Sequence, residues 1–102
     1  MARTINTDSI VRLQHYLSGT ALKLYLSLLD GCDANNIYYR PFGEAIVSSG
    51  IGDRTAFRAI AMLERQKFVT PLITRGTGGA TVVPYLIHMP ERILEDREGA
   101  KR

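Results

Sequence analysis

The most constraining feature of this sequence is a pair of amphipathic segments separated by only three residues. The first segment runs from Phe42 to Ser49, and the second runs from Arg54 to about Lys67. Between them, Gly50-Ile51-Gly52 has turn composition and a single apolar residue. Asp53 is the expected N-cap of the second helix. The inward face of that helix is predicted from apolar residues at helical spacing, namely Ala56, Ala59, Ile60 and Leu63.

Two more helices and a strand are predicted before this pair. Helical spacing indicates a short helix from about residue 8 to 17 and another over Thr20–Leu29, with a stripe of Leu22, Tyr25, Leu26 and Leu29. Asp30-Gly31 is expected to end the second of these helices, since glycine tolerates a left-handed cap. Ile37–Arg40 has strand composition, and Pro41 can stop the strand and open the next helix.

The last third of the chain is typical of a β-hairpin. Leu72–Thr74 and Val82–Ile87 are the predicted strands, joined by the glycine-rich loop 75–81. Pro84 places the second strand at a sheet edge. A charged terminal helix is expected over residues 90–98. These elements together predict an α+β fold that is mainly α.

Length and composition favour a single folded domain. The chain has 102 residues, with 45% hydrophobic and 23% charged residues, which argues against global disorder. We expect one domain over 1–102, with a core at about 8–88, a loose tail at 1–6 and a charged extension at 90–102.

The positive charge is concentrated in the middle of the chain. The net charge is +3, and the stretch from Arg40 to Arg75 contains six basic and three acidic residues, so it carries the whole excess. This asymmetry is compatible with a surface that faces a polyanion, although a solvated basic surface gives the same pattern.

Several function classes are disfavoured. Cys32 is the single cysteine, so an internal disulfide and a thiolate metal site are excluded and a reducing compartment is favoured. The N-terminus lacks a signal-peptide core, and no apolar stretch reaches membrane-spanning length. His15 and His88 are far apart and have no neighbours at metal-ligand spacing. We therefore expect a cytoplasmic protein that is not an enzyme, needs no cofactor or metal and does not enter a membrane.

The stretch from Ser18 to Ile87 resembles winged helix-turn-helix DNA-binding domains. The resemblance is to replication-initiator-like and MarR-like bacterial, plasmid and phage proteins, and it is carried by SGTALKLYLSLLDG and FGEAIVSSGIGDRTAFRAIAMLERQKFV. It implies a C-terminal hairpin wing and a helix, beginning at Asp53, that lies in the major groove of double-stranded DNA. The chain departs from the family where Lys67 replaces a common glycine and where Phe57 and Ala61 replace polar residues.

The candidate DNA-binding residues on the second helix follow from its outward face. Arg54 and Arg58 are four residues apart, and each can hold guanine or phosphate with two hydrogen bonds. Thr55 can bond a phosphate or simply cap the helix, and Phe57 can contact a thymine methyl or pack in a core or dimer interface. A solvated helix face is the alternative for both arginines.

The other candidates lie outside that helix. Arg75, Gly76 and Thr77 form the expected wing tip, where glycine allows close approach to DNA and arginine can enter a narrow minor groove. An ordinary flexible hairpin is the alternative. Arg40 completes the predicted DNA-binding set.

Three functions fit these residues. The first is sequence-specific DNA binding by a homodimeric transcriptional regulator, with residues 8–17 and 90–98 as candidate dimer interfaces. The second is a plasmid or phage replication or partition protein that uses the same domain. The third is a protein-interaction module, favoured by an apolar outer face of Phe57, Ala61 and Met62.

Overall fold

The computed structural model of the chain describes residues 7–72 and 83–99, and in these ranges it contains five helices and one small sheet. The helices are α1 (Thr7–Leu13), α2 (Gly19–Gly31), α3 (Phe42–Ser49), α4 (Asp53–Arg65) and α5 (Pro90–Gly99). The strands are β1 (Ile37–Tyr38), β2 (Val69–Pro71) and β3 (Tyr85–Ile87). The predicted α+β, mainly α class is confirmed.

Helix α2 lies at the centre of the core and packs against α3 and α4. It begins after Ser18, whose side-chain oxygen accepts a hydrogen bond from the Ala21 N–H at 3.3 Å. The predicted stripe is only part of its buried surface, because Leu24 and Leu28 are also fully buried. Since α2 has neighbours on several sides, one amphipathic stripe does not describe it.

The glycine-containing turn sets the direction of α4. Gly50 ends α3 with φ of +75°, a left-handed conformation, and its N–H donates to the carbonyls of Ile46 and Val47. Glycine is favoured there because it has no β-carbon to clash with the backbone. Ile51 packs half-buried against the core, and Gly52 is the N-cap of α4. The predicted inward face of α4 is confirmed, since Ala56, Ala59, Ile60 and Leu63 are all buried.

Both ends of α4 differ from the prediction. Asp53 is the first helical residue and not the N-cap. In the first turn its carboxylate interacts favourably with the helix dipole. The helix ends at Arg65, two residues before the predicted Lys67. Lys67 instead takes φ of +65°. Its N–H donates to the Glu64 carbonyl, and the Phe68 N–H donates to the Leu63 carbonyl at 2.8 Å, which together form a Schellman cap.

Three further predicted ends were wrong. Helix α1 stops at Leu13, four residues early, because the following residues form tighter bonds such as Tyr16 N–H to Leu13 carbonyl at 2.9 Å. Gly31 is the last residue of α2 and does not form a left-handed cap; Cys32 follows it in extended conformation. Strand β1 covers only two of the four predicted residues.

The sheet has the order β1-β3-β2 and is antiparallel throughout. Ile37 lies opposite Leu86, and Val69 lies opposite Ile87. The central position of β3 contradicts the prediction from Pro84 that this strand lies at an edge. Pro84 precedes β3, so its missing N–H removes no ladder bond, and its carbonyl accepts from the Leu72 N–H at 2.8 Å.

The first hairpin strand was predicted too late in the chain. Strand β2 is Val69–Pro71 and begins directly after the α4 cap, while Leu72 lies outside it. Phe68 and Val69 are buried in the core, and the strand begins at Val69, earlier than the sequence pattern predicted. Residues 73, 74 and 82 of the predicted strands lie outside the described residues.

Helix α5, predicted over 90–98, is confirmed, and it packs against α1. Ile93 and Leu94 are buried in the same core cluster as Leu13 of α1. An ion pair joins Arg12 to Glu98 across the two helices. The apolar sides of α1 and α5 therefore contact the rest of this chain.

Candidate nucleic-acid interface

The N-terminal half of α4 carries four of the predicted DNA-binding side chains, and all four are exposed. These are Arg54, Thr55, Phe57 and Arg58. They lie away from the buried face that packs on α2. The 3.6-residue repeat separates the two faces, so packing of the apolar face fixes the orientation of the polar one.

Arg54 and Arg58 lie on successive turns of this exposed face. In the described parts of the chain, the ion pairs are Arg12 with Asp8 and Glu98 and Arg40 with Glu44, so neither Arg54 nor Arg58 is paired there with a carboxylate. Both guanidinium groups therefore retain their donors for a ligand, and each can bind an acceptor pair or a phosphate in bidentate fashion.

Thr55 is the third residue of α4, and its side chain is exposed. Because the N-cap is Gly52, the cap residue has no side chain to accept hydrogen bonds from the first-turn N–H groups. These N–H groups and the Thr55 hydroxyl lie at the positive end of the helix dipole, where an anion is favoured.

Phe57 is 60% exposed and is not a core residue. Its ring centroid lies 5.5 Å from that of Phe42 on α3, with an angle of 44° between the rings. The two rings form one wall of a shallow pocket of about 150 Å³, which Val83 and Tyr85 also line. Phe42 therefore positions Phe57 at the surface.

Tyr85 connects this pocket to the C-terminal half of α4. Its pKa is raised by burial, by the negative charge of Glu64 and by a hydrogen bond with the Glu64 side chain. This contact joins β3 to α4, and residues of both elements line the pocket.

Arg40 lies in a different setting from the α4 arginines. It follows β1, and its guanidinium is 3.9 Å from the carboxylate of Glu44 on α3. Both side chains are exposed, so the pair contributes only about 0–1 kcal/mol to stability and a ligand can displace it. Arg75, Gly76 and Thr77 lie outside the described residues.

Comparisons with family models, curated proteins and solved structures find no match to this chain. In residues 7–72 and 83–99, no helix has the length and apolar character needed to cross a membrane. The same ranges contain no cluster of three or more His, Cys, Asp or Glu side chains that could hold a metal ion.

Two apolar residues outside α4 are exposed although the sequence did not predict it. Val47 on α3 is 82% exposed, and Tyr39 after β1 is 66% exposed. A signal for Val47 was present, because it falls outside the Phe42, Ala45 and Ile46 face of its own helix. Of the apolar face expected beside Phe57, Ala61 is exposed, whereas Met62 packs partly against the core.

Proposed function

We propose that this protein binds double-stranded DNA sequence-specifically, as a winged-helix transcriptional regulator with α4 in the major groove. The observation that carries the proposal is the placement of Arg54 and Arg58 on successive exposed turns of α4, each without a carboxylate partner in the described chain. Arginine in this position can contact guanine O6 and N7, the commonest specific contact in the major groove.

The order of elements supports this assignment. Helix α3, the Gly50-Ile51-Gly52 turn and α4 follow one another, and strands β2 and β3 come next. In a winged-helix domain the connection between these strands is the wing. We assign Arg75, Gly76 and Thr77 to it, with Arg75 in the flanking minor groove or on the backbone. An Arg75→Ala change then weakens binding about equally on all sequences, since backbone contacts carry little sequence information.

The deciding experiment first selects duplexes that bind the protein from a random library. The affinities of the selected duplex and of random DNA are then measured as a function of salt concentration. We expect the logarithm of the affinity to fall linearly with the logarithm of salt concentration between about 50 and about 200 mM. The selected duplex should remain tighter throughout. The proposal fails if neither duplex binds at the lowest salt, or if selection enriches no sequence.

A protein-interaction module is the second candidate, and the exposure of Phe57 and Val47 is the observation that favours it. An exposed aromatic ring supported by a second ring is a typical anchor for a protein partner. This candidate takes first place if DNA binding is absent. A plasmid or phage replication or partition role uses the same DNA-binding surface, and the genes beside the coding region distinguish it from transcriptional control.

We further propose that the protein binds DNA as a homodimer in the cytoplasm. One helix and one wing cover a single half-site, and two copies read two half-sites about one helical turn apart. Because α1 and α5 bury their apolar sides within the chain, a dimer interface on them uses their outer faces, where Val11 is 52% exposed. Sedimentation at tens of micromolar protein, with and without DNA, tests this; monomer in both conditions contradicts it.

A further inference from the structure

A second concave surface, a polar cleft, lies at the C-terminal end of α4, opposite the end that carries Arg54. It has a volume of about 440 Å³ and lies between the end of α4, β2, the segment after β3 and α5. Its polar and charged lining includes Lys67, Thr70, His88, Arg92, Asp96 and Arg97. Four separate segments of the chain thus contribute to one concave surface.

His88 is held firmly in this cleft. Its N–H donates to the Phe68 carbonyl at 3.0 Å, and its own carbonyl accepts a hydrogen bond from the buried Tyr25 hydroxyl. On the imidazole, Nε2 lies 2.8 Å from the Thr70 hydroxyl. Fixed backbone and ring positions make His88 and Thr70 a preorganised polar pair.

Arg97 is also fixed, and its charge stays at the wall of the cleft. Its guanidinium lies 5.0 Å from the Phe68 ring centroid and 5.1 Å from the Tyr16 ring centroid. It donates to the Gln66 carbonyl at 2.6 Å. These are contacts with rings and a neutral carbonyl, and within residues 7–72 and 83–99 no ion pair joins Arg97 to a carboxylate.

Lys67 occupies a backbone position that glycine normally favours. Its φ of +65° is in the left-handed region, where a β-carbon is strained, and it completes the Schellman cap of α4. Strained residues cluster at functional sites. A lysine here places an ammonium group on the cleft.

The charges in the cleft favour an anion. Lys67, Arg92 and Arg97 are positive against the single carboxylate of Asp96, and in the described chain no ion pair joins Lys67 or Arg92 to an acidic residue. The pKa of His88 is lowered by burial and by the charges of Arg92 and Lys67, while Asp96 raises it. Burial is the largest of these effects, and the positive charge of Arg92 adds to it.

We propose that this cleft binds a small doubly charged oxyanion of the phosphate monoester type. Lys67 and Arg92 supply flexible cationic donors, Arg97 supplies a fixed charge, and the Thr70 hydroxyl and His88 ring supply the neutral polar contacts. The half-buried cleft exceeds the size of one phosphate group, which leaves space for an organic substituent beside the buried Ile93. This site is independent of DNA binding by Arg54 and Arg58.

Inorganic phosphate is the probe, and the NMR signals of the two histidine rings are the readout of its binding. Phosphate should raise the pKa of His88 by about one pH unit relative to chloride at equal ionic strength, because a nearby anion favours the imidazolium. The ring of His15, which does not line the cleft, is the internal reference. An unchanged His88 titration at saturating phosphate overturns the proposal.

Three variants assign the binding to the cleft. Lys67→Gly and Arg92→Gln should each weaken phosphate binding about tenfold, the factor expected for one lost charged hydrogen bond. Lys67→Gly also relieves the left-handed strain, so its loss of affinity cannot be attributed to unfolding. Lys23→Gln removes an exposed positive charge from α2, away from the cleft, and should leave affinity unchanged.

Two further outcomes contradict the proposal. Equal losses in all three variants show only general attraction of phosphate to a basic protein. A His88 response to duplex DNA but not to free phosphate shows that the cleft holds the DNA backbone and not a small ligand.

Discussion

Gly31 and Tyr38 lie so close together that no side chain fits between them. An ideal β-carbon on Gly31 would lie 2.7 Å from Cε2 of the Tyr38 ring. The ring is buried, so it cannot swing into solvent. This contact joins the end of α2 to β1, and it explains why a glycine stands inside the last turn of α2.

A Gly31→Ala change should therefore destabilise the fold. We expect a loss of about 1–3 kcal/mol in the free energy of unfolding, because the Tyr38 ring or the strand has to move. Urea unfolding measures it. Gly43→Ala is the control, since a β-carbon there meets nothing within 4 Å. Replacing an exposed glycine in a helix by alanine stabilises the fold by up to about 1 kcal/mol. Equal effects of the two changes would contradict the steric explanation.

Replacement of Arg54 or Arg58 by alanine should reduce specific DNA affinity. Each change should cost about 1–3 kcal/mol on the selected duplex and less on random DNA, since base contacts are lost only on the preferred sequence. Arg65→Ala is the matched control, because it removes an exposed arginine from the last turn of the same helix. Titration of each variant with both duplexes at fixed salt gives the comparison. Equal losses on both duplexes would mean that Arg54 and Arg58 only contact phosphates.

The Tyr25 hydroxyl should contribute measurably to stability. Tyr25 is fully buried, its hydroxyl donates to the His88 carbonyl, and burial, with a smaller effect of the Glu91 charge, raises its pKa. Tyr25→Phe keeps the ring packed edge-to-face on Phe68 but leaves the carbonyl without this donor. We expect a cost of about 1–2 kcal/mol by thermal or urea unfolding. Tyr39→Phe, at an exposed ring, should change stability by less than about 0.5 kcal/mol.

Because the pKa of His88 is lowered, we expect the free energy of unfolding to decrease as the pH falls. The unfolded chain binds the proton at the ordinary histidine value of 6.5, whereas the folded chain binds it only at lower pH. The unfolded state therefore holds more protons in that interval, and stability is lost as pH falls below about 6.5. In phosphate-free buffer, the melting temperature of the His88→Gln variant should depend less on pH than that of the wild type between about pH 5 and pH 7. His15→Gln should retain the wild-type slope; an unchanged slope in His88→Gln would exclude His88 as the cause.

Several features could be predicted from local sequence alone. The α3–turn–α4 arrangement follows from the 3.6-residue repeat and from Gly50, whose left-handed φ ends α3. The buried face of α4 follows from the same repeat, and it fixes which α4 side chains are exposed. A helix bonds to itself within four residues, so this information is contained in a short stretch of chain.

The ends of elements were less predictable because tertiary contacts decide them. Asp53 has the chemistry of an N-cap, but the preceding turn places Gly52 there. Gly31 has the chemistry of a left-handed cap, but its role is to admit Tyr38. For Gly31, a neighbour in space determines which of two permitted conformations the residue adopts.

Sequence determined the helical framework and the exposed arginines of α4, while the tertiary structure decided the sheet and the second cleft. Strands of two or three residues carry too little alternation to reveal their position, and β3 became central only because β1 pairs with it from a distant part of the chain. Likewise, Lys67, His88 and Arg92 show no common spacing. They meet because the core brings the end of α4, the segment after β3 and α5 to one place, and such contacts between distant residues have no local signature.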